Sequence, residues 1–435
     1  MRPISVLYIH PVGAFGGASR SLLEMIGAFP SGRVRPYVIT PRGGVAALCK
    51  RKGIPTIETR GLSQFDNTRY GYYRGIRWLL LLREVCFLPF TLLAIVKARI
   101  RWSMVDAIHV NELTGISTVV LCKLIFRRPI VVHVRSVQEC EKSPRRTSWI
   151  NFVLRHFADA VVAIDQTVQR SLPRDLNVYV VHNGLAQSAN TEPRGEPDTS
   201  NQSAGSNLLR VAMVGNLLKM KGVYDFVEAA RLCIARNLNV EFLIVGSNTR
   251  DLKGVMGLLI KIAGFGRDVQ ADIDRMIREH RLEKRLRLLP FTLDVHEVYR
   301  SMDVLCFPSH LNAVGRPVLE AALSHIPGIV AITQPDSDTI IDGQTGICVE
   351  PRSPTALADA IEYFCRHPEE VRRMGEMAYK LAIEHFDIQK NALRILQIYE
   401  EHLIEHPPRT RCIGNGAAVD GRVSATSPGK RPVRF

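Results

Sequence analysis

The sequence has no pair of cysteines in a CxxC arrangement, and its nine cysteines are scattered singly along 435 residues. This spacing argues against a disulfide framework and a zinc site, and it favours a reducing compartment. No stretch reaches the roughly 18 uncharged apolar residues that a membrane-spanning helix needs. The first ten residues contain too short an apolar run for a signal peptide. We therefore expect a cytoplasmic protein without a spanning helix.

Acidic side chains are scarce relative to basic ones. The chain has 42 Asp and Glu against 57 Lys and Arg, which gives a formal net charge of +15. This balance favours an anionic partner: nucleotide phosphates, nucleic acid or an anionic membrane face. Nucleic acid is the poorest of the three, because no basic motif is interleaved with aromatic residues. The pair Gly16-Gly17 is not part of a GxGxxG motif, which argues against a nicotinamide-dependent dehydrogenase.

Apolar runs of strand length alternate with helical stretches along the chain. Predicted strands lie at 5–9, 38–40, 107–110, 130–134, 160–164 and 178–181, and then at 209–214, 241–245, 286–288, 304–307 and 347–349. Strands that alternate with helices form parallel sheets. The sequence therefore predicts an α/β fold with two Rossmann-like parallel-sheet domains that face a cleft.

A segment rich in Ser, Asn, Pro and Gly at 186–207 predicts a linker between the two domains. It separates an N-terminal domain at 1–185 from a C-terminal domain at 208–385, which suits the chain length. A further helix is predicted at 386–404, and a disordered basic tail at 405–435. The cleft between two such domains is a favoured place for a ligand.

The stretch from Phe307 to Ile332 carries the most specific local pattern. An apolar strand ends at Pro308, a polar loop follows, and Pro317 opens a helix. Backbone N–H groups at such a junction are unpaired and lie at the positive end of the helix dipole, so they form an anion site. Glu320 lies one turn into that helix, where its carboxylate could reach sugar or ribose hydroxyls.

Seven segments in order resemble the retaining glycosyltransferases of family 4, the "glycosyl transferases group 1" class, which have the GT-B fold. They are GGASRSLLEM at 16–25, VVHVRS at 131–136, VVHNGL at 180–185, VGNLLKMKG at 214–222, FLIVGS at 242–247, MDVLCFPSH with GRPVLEAAL at 302–323, and DGQTGICVEP at 342–351. The resemblance covers about residues 1–404. It implies transfer of a sugar from a nucleotide-sugar donor, held by the C-terminal domain, to an acceptor chosen by the N-terminal domain, with no metal and no cofactor.

The resemblance also implies roles for particular residues. Lys221 would face the diphosphate, Glu320 would hold the ribose, and His133 would face the sugar or the acceptor across the cleft. These three and Asn312 are the candidate catalytic residues. The candidate donor-binding residues are Gly16, Gly17, Gly215, Asn216, Lys221, Asn312, Ala313, Val314, Gly315, Arg316 and Glu320. The helix at 386–404 would return to the N-terminal domain.

Two positions depart from the family pattern. Asn216 replaces an arginine that would face the departing diphosphate, and Asn312 replaces a glutamate eight positions before Glu320. Asparagine can hydrogen-bond to sugar hydroxyls, but it cannot stabilise a developing positive charge. Loss of one such electrostatic group can cost on the order of 100-fold in rate. The sequence leaves two hypotheses: an active enzyme of cell-surface polysaccharide biosynthesis with a glycan or lipid-linked acceptor, or a catalytically degenerate protein that binds nucleotide-sugar or is a membrane scaffold.

The apolar and basic segment at 74–101 also leaves two alternatives open. It is either a helix pair packed in the N-terminal domain or a surface patch that binds anionic headgroups at the inner face of a membrane. The basic residues of the second alternative are Arg74, Arg77, Arg83, Lys97, Arg99 and Arg101. A second apolar stretch at 255–266 would shield the donor site or contact the membrane. Arg135 would anchor an anionic acceptor or be an exposed cation.

Overall fold

The computed structural model describes residues 2–69, 71, 78–139, 144–185, 208–246, 268–290 and 295–405. Several predicted features lie outside the described residues. They are the linker at 186–207, the apolar stretch at 255–266, the tail after residue 405, and the basic residues Arg74 and Arg77.

The N-terminal domain is built on a seven-stranded parallel sheet. Its strands are β1 (Ile4–Ile9), β2 (Val34–Pro41), β3 (Thr56–Thr59), β4 (Ala107–Val110), β5 (Ile130–Val134), β6 (Ala160–Ala163) and β7 (Val178–Val180). They lie side by side in the order β3-β2-β1-β4-β5-β6-β7. The central strands are nearly continuous apolar runs because helices cover both faces of the sheet.

Helices of the N-terminal domain fall on the two faces of this sheet. They are α1 (Gly17–Ala28), α2 (Gly44–Arg51), α3 (Leu79–Arg101), α4 (Ile116–Phe126), α5 (Pro144–Phe157) and α6 (Gln166–Arg170). Side chains of α3, α4 and α5 form one buried cluster with the sheet, and those of α1 and α2 form another. The sequence reading missed β3 and α2, which are short.

The C-terminal domain repeats the pattern on a six-stranded parallel sheet. Its strands are β8 (Leu209–Val214), β9 (Val240–Val245), β10 (Leu286–Leu289), β11 (Val304–Phe307), β12 (Gly328–Ala331) and β13 (Gly346–Val349), in the order β10-β9-β8-β11-β12-β13. Its helices are α7 (Val223–Ala235), α8 (Val269–Glu279), α9 (Val295–Arg300), α10 (Arg316–Ala322), α11 (Pro354–Arg366) and α12 (Pro368–His385). The predicted fold class, two Rossmann-like α/β domains, is confirmed.

One alternative for the segment at 77–101 was a helix pair, and the described part of this segment, from residue 78 on, shows that alternative to be wrong. From residue 79 the segment is a single helix of 23 residues, α3, with Pro89 inside it. An internal proline removes one backbone hydrogen bond and commonly kinks or breaks a helix. Here Glu84 and Thr91 on either side of the proline are both buried. This packing against the domain holds both halves of α3 in one helix.

The last described helix, α13 (Ile388–Glu405), packs against the N-terminal domain. The chain crosses back beside Gly184, where a β-carbon would collide with the backbone of Ile388. Tyr399 of α13 is buried, and its hydroxyl lies 2.7 Å from Nδ1 of His109 and 3.4 Å from the hydroxyl of Tyr8. The last helix therefore completes the core that the first strand begins.

We predict that Tyr399→Phe destabilises the protein by about 1–3 kcal/mol, because it leaves Nδ1 of buried His109 without its partner. Tyr363→Phe is the matched control, since the hydroxyl of Tyr363 is in an exposed hydrogen bond to Glu370. It should change the stability by less than about 0.5 kcal/mol. Urea denaturation followed by circular dichroism measures both. Equal stabilities of the two variants would contradict the prediction.

Candidate functional site

Two loops meet at the carboxyl ends of β8 and β11, where ligands bind in parallel α/β sheets. The first loop contains Lys221 and ends at Gly222, whose φ of 76° is in the left-handed region. A β-carbon at Gly222 would collide with the carbonyl oxygen of Pro308 in the second loop. The backbone N–H of His310 donates to the carbonyl of Met220 at 2.9 Å. These close contacts fix the two loops against each other.

Lys221 lies two residues before α7, with its ammonium group over an aromatic ring. The Nζ atom is 5.4 Å from the centre of the Phe307 ring, a distance at which a cation is attracted to the ring face. Burial lowers the pKa of Lys221. The lysine is thus a half-buried cation in the loop where a diphosphate ligand is predicted.

The side chain of Asn312 is held in place by hydrogen bonds to Thr333. Its φ of 52° is in the left-handed region, which asparagine tolerates better than most residues. Its Oδ1 accepts hydrogen bonds from the backbone N–H of Thr333 at 2.8 Å and from the Thr333 hydroxyl at 3.2 Å. The side chain therefore ties the loop after β11 to the segment after β12. Its predicted catalytic role stays a prediction.

The remaining residues of the second loop lead into α10. Ala313 and Val314 are half-buried, and Gly315 is the N-cap of the helix. A β-carbon at Gly315 would collide with the Phe307 ring. The ring that lies beneath Lys221 therefore also sets the position of the helix N-terminus.

Arg316 and Glu320 join the two domains. Arg316 donates from Nε to Oε1 of Glu320 at 2.7 Å, from Nη1 to the hydroxyl of Ser21 at 2.8 Å and from Nη2 to Oε2 of Glu24 at 2.6 Å. Arg20 of α1 pairs with Glu24 at 2.9 Å and with Oε1 of Glu320 at 3.2 Å. Although burial disfavours its charge, the carboxylates of Glu320 and Glu24 hold the pKa of Arg316 above its usual value.

The carboxylate of Glu320 is largely occupied in this arrangement. Oε1 receives Arg316 and Arg20, and Oε2 accepts a hydrogen bond from the Tyr299 hydroxyl at 2.8 Å. A carboxylate offers about four lone-pair positions, and three are taken. A ribose hydroxyl at Glu320 would bind the remaining position or replace Arg20, whose contact is the longest of the three.

The glycine residues and Asn216 lie at the rims of the two sheets. Gly16 is the N-cap of α1 and is held by the hydroxyl of Ser19, which accepts from its N–H at 2.8 Å. Gly16 and Gly17 are exposed. Gly215 directly follows β8 and has a φ of 147°, and Asn216 comes next in an exposed position. All four positions therefore lie at carboxyl ends of strands, on loops that border the cleft.

His133 does not lie on the open surface of the cleft. It is buried near the end of β5, with Nδ1 3.3 Å from Nη2 of Arg135 and its ring centre 5.3 Å from that of His109. Burial is the main reason why the pKa of His133 is well below its usual value, so the ring is neutral at pH 7. Within the described residues, its Nε2 has no hydrogen-bond partner.

Arg135 is a buried cation behind the interdomain cluster. Its Nε donates to Oδ1 of Asn111 at 2.7 Å, and Nη1 donates to Oδ1 of Asn183. Burial lowers the pKa of Arg135 to about 10; Glu112 opposes this shift and Arg316 adds to it. Of the two alternatives for this residue, the exposed cation is therefore wrong.

The sequence analysis did not identify Ser21, Glu24, Tyr299 or the partners of Arg135 as residues of the candidate site. The spacing of Arg20 and Glu24, four residues apart on a predicted helix, is a signal for a paired helix face. Tyr299 gives no comparable signal, because nothing local indicates that it faces Glu320. Among the residues that the structure describes, no group of three or more His, Cys, Asp or Glu side chains is placed to hold a metal ion.

The facing sheets, the two loops and the returning helix define a GT-B protein. Two family models match the chain: "Glycosyltransferase Family 4" over residues 15–187 and "Glycosyl transferases group 1" over residues 198–381. The chain therefore belongs to the GT-B glycosyltransferases. In the solved structure of Anabaena Alr3699/HepE in complex with UDP and glucose, the fold is similar, with a TM-score of 0.67, 19% identity and coverage of 91% of this chain and 99% of that one.

Curated relatives are similar over part of their length. The capsular polysaccharide biosynthesis glycosyltransferase CapM of Staphylococcus aureus is 24% identical over 156 residues, which cover 35% of each chain. Alpha-D-kanosaminyltransferase of Streptomyces kanamyceticus is 26% identical over 195 residues, which cover 44% of this chain and 45% of that protein. The chain thus matches less than half of the length of these two relatives.

We predict that Arg316→Met loosens the contact between the domains, because it removes the hydrogen bonds from α10 to Ser21 and Glu24. The expected cost is roughly 1.5–3 kcal/mol of unfolding free energy, with a larger radius of gyration in small-angle X-ray scattering. Arg231→Met is the control, because Arg231 pairs with Glu228 on the same exposed helix face. If both variants scatter like the wild type, Arg316 does not hold the domains together.

Proposed function

We propose that this protein is a retaining, metal-independent glycosyltransferase. It moves a sugar from a nucleotide-sugar to a glycan or lipid-linked acceptor in cell-surface polysaccharide biosynthesis. The observation that carries the proposal is the pair of fixed loops that holds the cation of Lys221 and Gly315, the N-cap of α10, at the same Phe307 ring. The name of CapM, a capsular polysaccharide biosynthesis glycosyltransferase, supports the class of pathway.

Each group in the loops has a task in this proposal. Lys221 binds the diphosphate as a compact positive charge, and the unpaired N–H groups at the start of α10 add to the positive field. Glu320 accepts hydrogen bonds from the ribose. These interactions stabilise the negative charge that develops on the leaving nucleotide, which is the task of a metal ion in other transferases. UDP is the first nucleotide to test, because HepE is known in complex with UDP-glucose.

Asn312 and His133 contribute less directly. Because Oδ1 of Asn312 is bonded to Thr333, the amide group of Asn312 can only donate to the sugar. His133 contacts the guanidinium group of Arg135 through its Nδ1 atom and orients that group towards the acceptor side. We propose that the protein works on the cytoplasmic side of a membrane and that nucleic acid is not a partner. Within the described residues, no helix is both long and apolar enough to cross a membrane.

A second candidate function is a degenerate protein that binds nucleotide-sugar or is a scaffold in a glycan-assembly complex. Two observations favour it. Position 216 offers an amide instead of a guanidinium group, and Glu320 is already engaged by Arg316, Arg20 and Tyr299. The enzyme and the degenerate binder both bind the donor and differ in turnover, whereas a scaffold would not bind it. Binding and turnover therefore need separate experiments.

Donor binding is tested by thermal shift with UDP-, GDP-, ADP- and CMP-sugars in the absence of metal. A ligand at about 100 times its Kd stabilises the native state by about 2.7 kcal/mol, so the melting temperature should rise by a few degrees for one nucleotide class. Glu320→Gln should abolish this shift. Glu376→Gln, on exposed α12, should retain it. No shift with any donor in the wild type would refute donor binding.

Turnover is tested by restoring both departures from the family pattern. If the site is degenerate, Asn216→Arg with Asn312→Glu should raise donor turnover by on the order of 100-fold. If the site is adapted to asparagine, the double variant should lose activity, because a longer, charged glutamate side chain cannot repeat both contacts of the Asn312 Oδ1 to Thr333 from the same backbone position. Release of the nucleotide with acceptor present measures the rate. We expect the loss, since the loop is built around the Asn312 contact.

A further inference from the structure

Helix α3 has an apolar stripe on its solvent side as well as on its buried side. The buried side carries Ala94, Ile95 and Ala98. The exposed side carries the residues that we call the apolar stripe: Leu82, Val85, Pro89, Leu93, Val96 and Ile100. They recur every three or four positions and so lie on one line along the helix. The exposed fractions of Leu82, Leu93 and Ile100 are 65%, 64% and 78%.

Basic residues border this stripe. Arg83 also follows a member of the stripe, but its guanidinium group pairs with the carboxylate of Glu84. Lys97 and Arg101 each come one position after a member of the stripe and are exposed, so they lie about 100° further round the helix. They form what we call the basic edge. Arg99 lies towards the opposite edge, with its guanidinium group 5.9 Å from the centre of the Phe126 ring. The one acidic residue of α3, Glu84, is buried.

Exposed apolar residues also lie on the helices that pack next to α3 on this face of the domain. On the same face of the sheet, α3 packs beside α4, and α4 packs beside α5. Leu124 of α4 and Trp149 and Phe152 of α5 are exposed. Exposed apolar residues on three neighbouring helices of one face favour an interaction site there.

We propose that this face of the N-terminal domain docks on an anionic lipid bilayer, with α3 lying in the plane of the membrane surface. The stripe enters the boundary between headgroups and acyl chains, while the long side chains of the basic edge reach the headgroup phosphates. Charge complementarity selects this partner, because a basic border around apolar residues fits a negative surface.

Two other occupants fit less well. A second copy of the chain, docked through the same stripe by a two-fold axis, would bring two basic edges together, and like charges across an interface are unfavourable. The chain after residue 405 carries six basic residues and one acidic residue, so it too would be repelled by the basic edge. The net charge of +15 acts in the same direction for the whole protein.

The position of α3 connects the membrane to the cleft. The N–H of Gln64 donates to Oε2 of Glu84 at 2.8 Å, and the Gln64 side chain donates to the carbonyl of Pro11 at 3.2 Å. Pro11 follows β1, at the same rim as the loop with Gly16. The first half of the stripe therefore lies at the cleft end of the helix. A docked domain would present its acceptor side to a lipid-linked substrate. In this one respect, the membrane-docking proposal rests on the proposed function and extends it.

The test is flotation of the full-length protein with vesicles of phosphatidylcholine, alone or mixed with phosphatidylglycerol. The wild type should bind the mixed vesicles and be released by salt. Leu82→Gln with Leu93→Gln and Ile100→Gln should weaken binding by about tenfold or more, because three apolar side chains no longer leave water. The matched control is Met377→Gln with Leu393→Gln and Ile404→Gln, three exposed apolar residues of α12 and α13, and it should bind like the wild type.

Two further measurements guard against a misfolded variant. Lys97→Gln with Arg101→Gln changes only the basic edge and should reduce the preference for phosphatidylglycerol. Emission of Trp78, exposed just before α3, should move to shorter wavelength with vesicles in the wild type and the control, compared with Trp78→Phe. Equal vesicle binding by wild type and stripe variant, or no binding by the wild type, would overturn the proposal.

The other occupants have their own signatures, and either would also overturn the proposal. Self-association of the wild type that the stripe variant abolishes, seen by analytical ultracentrifugation, would indicate a second copy. Cross-linking of exposed Cys86 to Cys412 without vesicles would indicate the chain's own tail. The donor thermal shift separates this proposal from the proposed function. The stripe variant should keep the donor-induced rise in melting temperature while it loses vesicle binding. Vesicle binding by a wild type that shows no donor shift would support membrane docking and refute donor binding.

Discussion

The guanidinium group of Arg316 is the interaction on which the arrangement of the two domains depends. Its three nitrogen atoms reach Glu320 on its own helix and Ser21 and Glu24 on α1 of the other domain. A planar group with five donors can make these bonds together, which a lysine at the same position could not do. Because Glu320 is also the residue proposed to hold the ribose, one side chain links the closure of the cleft to the occupancy of the donor site.

Much of the fold could be predicted because its signals are local. Buried parallel strands are continuous apolar runs, and helices between them carry clear boundaries such as Pro317 and Pro368. The short strand β3 and the single helix α3 were harder. Thr56–Thr59 is only four residues long and contains a single apolar residue, Ile57. Pro89 indicates a break, and only the packing of α3 against the domain shows why the helix continues.

In the candidate site, too, features with local sequence signals could be predicted and contacts between distant residues could not. The loop from β11 to α10 follows from the order of proline, glycine and polar residues around Gly315. Glu320 could be placed on α10, and Lys221 in the loop before α7, from sequence. The contacts of those residues could not, because they join positions far apart in the chain. Glu24 and Arg316 are separated by 292 residues, and Tyr299 meets Glu320 from another helix. His133 was placed by motif, and its burial depends on α13, which comes much later in the chain.

The return of α13 to the N-terminal domain has a consequence for the order in which the protein can be made. Residues of α13, among them Ala392, Ile395 and Tyr399, belong to the same buried cluster as Val6 and Tyr8 of the first strand. As the chain leaves the ribosome, the N-terminal domain is synthesised first, yet a face of its sheet stays uncovered until residue 405 has emerged. The C-terminal domain has all its strands and helices once residue 385 has emerged, before α13 is made. The half of the protein that is translated first is thus the last to be completed, and a chaperone that protects nascent apolar surface would meet it there.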